Sequence, residues 1–215
     1  MQRQRDIADA FGAGGAETLV DMMALDLIVG SGGVLSHAPR RSQAALMMID
    51  AFEPQGITRL AVDSIFMMPQ LGVLSTISEQ AATEVFYRDC LIPLGPCIAP
   101  VGRGRPGAHC ATITVEGASG RERIEVAVGE MRLGALGPDE RATLTVEPAR
   151  GFDVGEGRGR AVEVEVTGGV VGLIIDARGR PLELPAGDEE RMDALRSWER
   201  ALDAYPEQPG EVTRA

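Results

Sequence analysis

The sequence predicts an α+β protein: a helix-rich first part with one strand, a small all-β barrel or sandwich, and a closing helix. Three observations predict it. Residues 1–100 hold most of the methionines and show helical apolar spacing around one short apolar run, Leu25 to Val29. Residues 101–187 are rich in glycine and alternate Val, Ile, Thr and Glu with a period of two, the pattern of half-buried strands. Residues 188–215 return to helical spacing, with Met192, Leu195, Trp198 and Leu202 on one face, before a tail after Pro206 that is expected to fray.

Each element follows in chain order. Ala16 to Leu25 reads as a short helix leading into a buried strand at residues 25–29, by length and branching. Gly30-Ser31-Gly32-Gly33 then bends the chain, and a helix runs from about Pro39 to Phe52 with Ala44, Met48, Ala51 and Phe52 as its stripe. Pro39 suits a first helical turn, where a missing N–H costs nothing. Asp63 is expected to cap a helix through Met68. Thr76 and Glu79 form a capping-box pattern for another helix over about 77–91. The stretch IPLGPCIAPVGRGRPG, with Pro93, Pro96, Pro100 and Pro106, reads as a domain connector, since proline interrupts both helices and central strands. Residues 111–116 and 123–128 flank a short Gly-bounded turn and read as a β-hairpin. Further strands are expected at 142–147, 161–167 and 169–176, so that residues 105–187 would close into a self-contained β domain.

Composition excludes several function classes. The chain has 215 residues, 21 basic against 32 acidic, for a net charge of −11. Such an acidic chain is poorly suited to neutralising a phosphate backbone, and aromatics are only 4%, so nucleic acid is not an expected partner. Every basic residue is Arg; with no Lys there can be no Schiff-base lysine and no GxxxxGK[ST] phosphate loop. Cys90, Cys97 and Cys110 lack CxxC spacing, and His37 and His109 are the only histidines, so no metal site is expected and the cysteines are expected to be reduced. There is no run of 18 apolar residues and no signal-peptide pattern, which points away from a membrane and toward the cytoplasm.

The strongest chemical signal is strand–GSGG–loop–helix at residues 25–52. Glycines at Gly30, Gly32 and Gly33 let the backbone approach a ligand without an intervening Cβ, and helix-start N–H groups can face an anion. The spacing is neither GxGxxG nor, without Lys, a P-loop, and a purely structural turn remains the competing reading. The segments DLIVGSGGVLSHAPRRSQAALMMIDAF and LAVDSIFMMPQLGVLSTISEQAATEVFYRDCLIPLG, together about residues 18–100, resemble the C-terminal half of the glutamate mutase L (MutL) family. That family is similar to the actin, sugar-kinase and heat-shock chaperone ATPases, and is associated with adenosylcobalamin-dependent mutases as reactivating chaperones. The resemblance implies a partial actin-like ATPase lobe whose adenosine motif falls on Gly30, Ser31, Gly32 and Gly33, with Ser31 where the family carries Thr or Ser. The pattern at Asp63, Pro69, Gly72 and Leu74 agrees with the family as well.

The resemblance also implies what is missing. An ATPase of this kind needs an earlier DxGS/T loop, whereas Phe152 to Gly159 comes after the adenosine motif and reads as an ordinary loop. The chain is thus expected to resemble the second half of a longer protein, with residues 1–100 a partial ATPase lobe whose first, N-terminal lobe lies elsewhere and 101–187 a β-rich docking domain. Whether the chain is a fragment or a split protein, and whether it forms oligomers, stays open. Alone it is expected to carry no catalytic residue and to hydrolyse no ATP at a useful rate; ATP or ADP is the cofactor implied, not tightly held. The alternative is a non-enzymatic interaction or scaffold protein with a structural Gly-rich turn. Residues 168–182 look like the extension of longer family members. There Arg178 and Arg180 are read as solvated side chains of a tight turn, in preference to a phosphate- or carboxylate-binding pair. His37 is read as a capping or packing residue, and His109 with Cys110 lacks a third member for a nucleophile pair.

Overall fold

The computed structural model describes residues 20–118 and 120–205. It is α+β, as the sequence predicts, in three layers. A five-stranded sheet lies in the middle, in the order β1 (Leu27–Gly30), β2 (Gly56–Asp63), β3 (Leu91–Ala99), β11 (Leu173–Asp176), β7 (Met131–Gly134). A four-stranded antiparallel sheet covers one face, in the order β10 (Val162–Thr167), β8 (Arg141–Pro148), β5 (His109–Gly117), β6 (Gly120–Ala127). Two helices cover the other face, α2 (Arg41–Phe52) and α5 (Asp188–Ala201). A two-stranded ribbon pairs β4 (Val101–Gly102) with β9 (Phe152–Asp153).

Alternation along the central strands builds both cores. Ile98 of β3 and Leu173 and Ile175 of β11 point to the four-stranded sheet, where they meet Ile113, Leu144 and Val146. Their neighbours Cys97, Ala99 and Ile174 point the other way, onto Ala45, Met48 and Ile49 of α2 and Trp198 beside Leu202 of α5. A period of two in a sheet buried on both faces requires both sets to be apolar. The β-rich part is thus half of a sheet-on-sheet packing, and no barrel closes among the described residues.

Several expectations need correction. The proline-rich stretch is not a connector: Leu91–Ala99 is the central strand β3. Prolines are tolerated there because β3 is paired on both sides only at Cys97 and Ile98, beyond Pro93 and Pro96. Pro93 lies opposite Ala61 at a β-bulge, and its carbonyl accepts from the Val170 amide. Gly95, at φ 136, is needed for close approach: a Cβ there would lie 2.0 Å from the Gly172 carbonyl oxygen. Strands β7 and β11 complete the sheet that β1–β3 begin, so residues 105–187 are not closed on themselves. The strand after residue 25 lies at the sheet's edge and is half-buried, not enclosed.

The helices are also shorter than their periodicity suggests. The expected helix over 16–25 falls partly outside the described residues; within them, Met22–Ala24 form a 3-10 turn capped by Asp21. The helix after Asp63 starts later, as α3 (Met68–Ser75). The next, α4 (Glu79–Val85), is capped by Ser78 instead of Thr76 and passes into a single π turn at Phe86–Cys90. The expected fraying after Pro206 lies outside the described residues. The hairpin of β5 and β6 forms with Gly117 opposite Gly120, as expected.

Candidate functional site

β1 and β2 are parallel neighbours, in register from Leu27 with Arg59 to Gly30 with Val62. Their carboxyl ends therefore emerge side by side, the position at which open α/β sheets bind ligands. From β1 emerges Ser31-Gly32, then the one-turn helix α1 (Gly33–Ser36); from β2 emerges Asp63 and the loop to α3. Gly32 caps α1 at φ 125, and its carbonyl accepts from the amides of Leu35 and Ser36 and from the Ser36 hydroxyl.

One side chain joins the two loops. The Ser31 hydroxyl donates to Asp63 Oδ2 at 3.1 Å. The Asp63 carboxylate also accepts from the Met67 amide at 3.1 Å and the Met68 amide at 2.9 Å. Asp63 is fully buried. Burial alone would raise its pKa, but the amides of Met68 and Met67 and the Ser31 hydroxyl outweigh it and hold the group below its ordinary value. With these donors on it, Asp63 is a charged staple between the two loops. The sequence predicts Asp63 as a cap; its bond to Ser31 needs the parallel pairing of β1 and β2, which the sequence does not display.

The four glycine-turn residues occupy different environments. Gly30 is packed: a Cβ there would lie 2.6 Å from Leu35 Cδ1 and 2.8 Å from Met48 Sδ. Gly32 needs its positive φ. Gly33 needs neither, since it has ordinary helical backbone and a Cβ would meet nothing within 4 Å. Beside these loops Val34, Ile65 and Phe66 are exposed. Phe66 holds φ 58, a strained conformation for an aromatic residue.

Residues 1–90 match the family model described as MutL protein. They are the segment that carries the GSGG turn, and the resemblance seen over about 18–100 is borne out there. The match stops where β3 begins, so it does not extend to the β-rich part or to residues 168–182. No curated protein and no solved structure matches the chain.

The remaining sequence candidates resolve individually. His37 Nδ1 lies 3.0 Å from the Gly33 carbonyl oxygen and 3.1 Å from Ser36 Oγ, so His37 closes the end of α1, the capping role expected of it. His109 is exposed while Cys110 is fully buried, and they form no nucleophile pair. Phe152 and Asp153 form β9, and residues 154–159 are the loop that follows, in which the Gly155 and Gly157 amides donate to Asp153. Cys90, Cys97 and Cys110 are buried, and none is bridged to another. Among the described residues there is no cluster of three or more His, Cys, Asp or Glu able to hold a metal, and no helix is long and apolar enough to cross a membrane.

Arg178 and Arg180 overturn their expectation. Both side chains are only 2% exposed, and both bond the fully buried Asp176. Arg178 also reaches Asp50 at 2.7 Å and lies 4.9 Å over the Trp198 ring, while Arg180 Nε donates to the Pro54 carbonyl. They lock β11 to α2 and α5 and face no solvent. The sequence signal for this was weak: an acid two and four residues before two arginines also describes an exposed turn.

Proposed function

We propose that the Gly30–Gly33 turn is the adenosine platform of a MutL-type ATPase, and that this chain supplies that side of a nucleotide cleft in an ATP-dependent chaperone reactivating an adenosylcobalamin-dependent mutase. Gly33 is the observation that carries the reading. The fold gives it no internal reason to be glycine, since its backbone is ordinary and the space over it is open. A flat ligand lying on the backbone would be such a reason.

Other features support it. The turn lies at the carboxyl end of two parallel strands. The Ser31–Asp63 bond fixes the spacing of the two loops, and exposed Val34, Ile65 and Phe66 offer apolar surface suited to a purine. The family match over residues 1–90 supports association with glutamate mutase. In this reading the chain binds and orients adenosine, while the phosphate-holding loop and metal come from a first lobe. The β-rich sheet serves as a docking surface, and the location is cytoplasmic.

Saturation-transfer NMR with ADP and ATP on this chain is the test. Adenine protons should receive saturation from the protein, and Gly33→Val should abolish the transfer while leaving the amide spectrum otherwise native. Transfer that survives Gly33→Val, or none in the parent chain, would favour the scaffold reading.

A further inference from the structure

Among the described residues, six arginines at the surface face carboxylates. Arg40 pairs with Asp203, Arg88 with Asp89, Arg121 with Glu116, Arg123 with Glu125, Arg132 with Glu130 and Arg191 with Asp188. The segments adjoining the β4–β9 ribbon carry five more that do not. Arg103, Arg105, Arg150, Arg158 and Arg160 are all exposed, and none makes an ion pair or side-chain hydrogen bond among the described residues.

The fold draws Arg103, Arg150, Arg158 and Arg160 together from two distant segments, with Arg105 two residues beyond Arg103. Val101 pairs with Asp153 and Gly102 with Phe152, which brings the start of the 103–105 segment against the 150–151 turn. A Cβ on Gly151 would lie 3.3 Å from the Arg103 carbonyl oxygen, and one on Gly159 would lie 3.1 Å from Arg150 Cα. The Gly159 amide also bonds the Phe152 carbonyl at 2.8 Å. Arg158 and Arg160 therefore flank the residue that touches Arg150, and Arg103 adjoins the same turn. The loop's Asp153 carboxylate is turned to the amides of Gly155 and Gly157, and Glu156 is exposed but takes no arginine. The interleaved glycines leave the guanidinium groups as the main side chains of this surface.

We propose that the β4–β9 ribbon is a docking surface for a short acidic segment of a partner protein. Guanidinium forks match carboxylates in bidentate geometry. A net charge of −11 makes the chain outside this patch more acidic still, so an extended polyanion such as a nucleic acid duplex would be repelled beyond the ribbon's edges. A short carboxylate-rich peptide meets only the arginines. This inference does not depend on the nucleotide reading, because the ribbon belongs to the segment outside the family match.

Fluorescence anisotropy with a labelled Asp/Glu/Gly peptide, on the full chain at low and physiological salt, tests it. The peptide should bind, more weakly as salt rises. The triple variant Arg103→Gln, Arg150→Gln, Arg160→Gln should bind about tenfold more weakly, as three exposed ion pairs would give. The control triple Arg123→Gln, Arg132→Gln, Arg141→Gln should bind like the parent, and both variants should melt like the parent because the residues are exposed. No binding by the parent chain, equal weakening in both triples, or tighter binding of a single-stranded oligonucleotide of equal charge would overturn the proposal.

Discussion

Replacing Gly33 with alanine separates backbone need from ligand need. Gly33 is the first residue of α1, its φ is not positive, and an added Cβ has open space on every side. Alanine also narrows the unfolded ensemble, so Gly33→Ala should stabilise the chain by about 0.5–1 kcal/mol. For a protein of this size that is roughly 1–4 °C in melting temperature. Its neighbours should behave in the opposite way. Gly32→Ala forces a side chain to φ 125 and should cost about 1–3 kcal/mol. Gly30→Ala pushes a methyl to 2.6 Å from Leu35 Cδ1 and should cost about 1–3 kcal/mol by overpacking. Melts followed by circular dichroism give the three signs, and the same samples with ADP in saturation-transfer NMR give the ligand effect. If adenosine lies on this backbone, Gly33→Ala gains stability and loses adenine contact together. A Gly33→Ala chain that is destabilised like Gly32→Ala would refute the claim of a conformationally free position, and one that gains stability with adenine transfer unchanged would refute the platform.

Three further outcomes are expected. Asp176→Asn leaves Arg178 and Arg180 buried without their shared charge and should lower stability by about 3–5 kcal/mol in urea titrations, toward the lower end because Arg178 keeps Asp50. Burial would raise the Asp176 pKa, but Arg180 and Arg178 lower it more, so the folded group titrates below the unfolded one. Its contribution is complete above about pH 4 and is lost as pH falls through the folded value; the urea midpoint should decline below about pH 4 and do so less in Asp176→Asn. Burial pushes the thiols of Cys97 and Cys110 up to about 12, so a thiol-specific disulfide reagent at pH near 8 should leave both unmodified until denaturant is added.

Local chemistry was legible in the sequence, and long-range pairing was not. The GSGG turn, the β5–β6 hairpin and the amphipathic last helix each follow from residues close together in the chain, and each forms; α2 forms too, but it buries Ala44, Ala45, Met48 and Ile49 while Ala51 and Phe52 of the expected stripe are exposed. The central strand was missed because proline's cost depends on which amides the neighbours use. That is decided by β11, whose Ile174 pairs with Cys97. Arg178 and Arg180 were misplaced for a similar reason: the charge was visible, but its burial depends on α2 and α5 closing over β11. At the candidate site the glycines were found from sequence, whereas the Ser31–Asp63 staple depends on two strands whose partners lie 32 residues apart.

The order of the central sheet also sets a problem in time for the ribosome. β3 can pair with β2 as soon as both have emerged, yet its other edge waits for β11, whose Ile174 lies 77 residues after Cys97. At synthesis rates of about 5–20 residues per second, that edge stays open for roughly 4–15 s. During that interval an apolar strand with one bare side is offered to any neighbouring nascent chain. A stop codon or a ribosome stall between the segment matched by the family and β11 would therefore yield not a smaller working unit but a sticky intermediate, to be handled by chaperones or proteases.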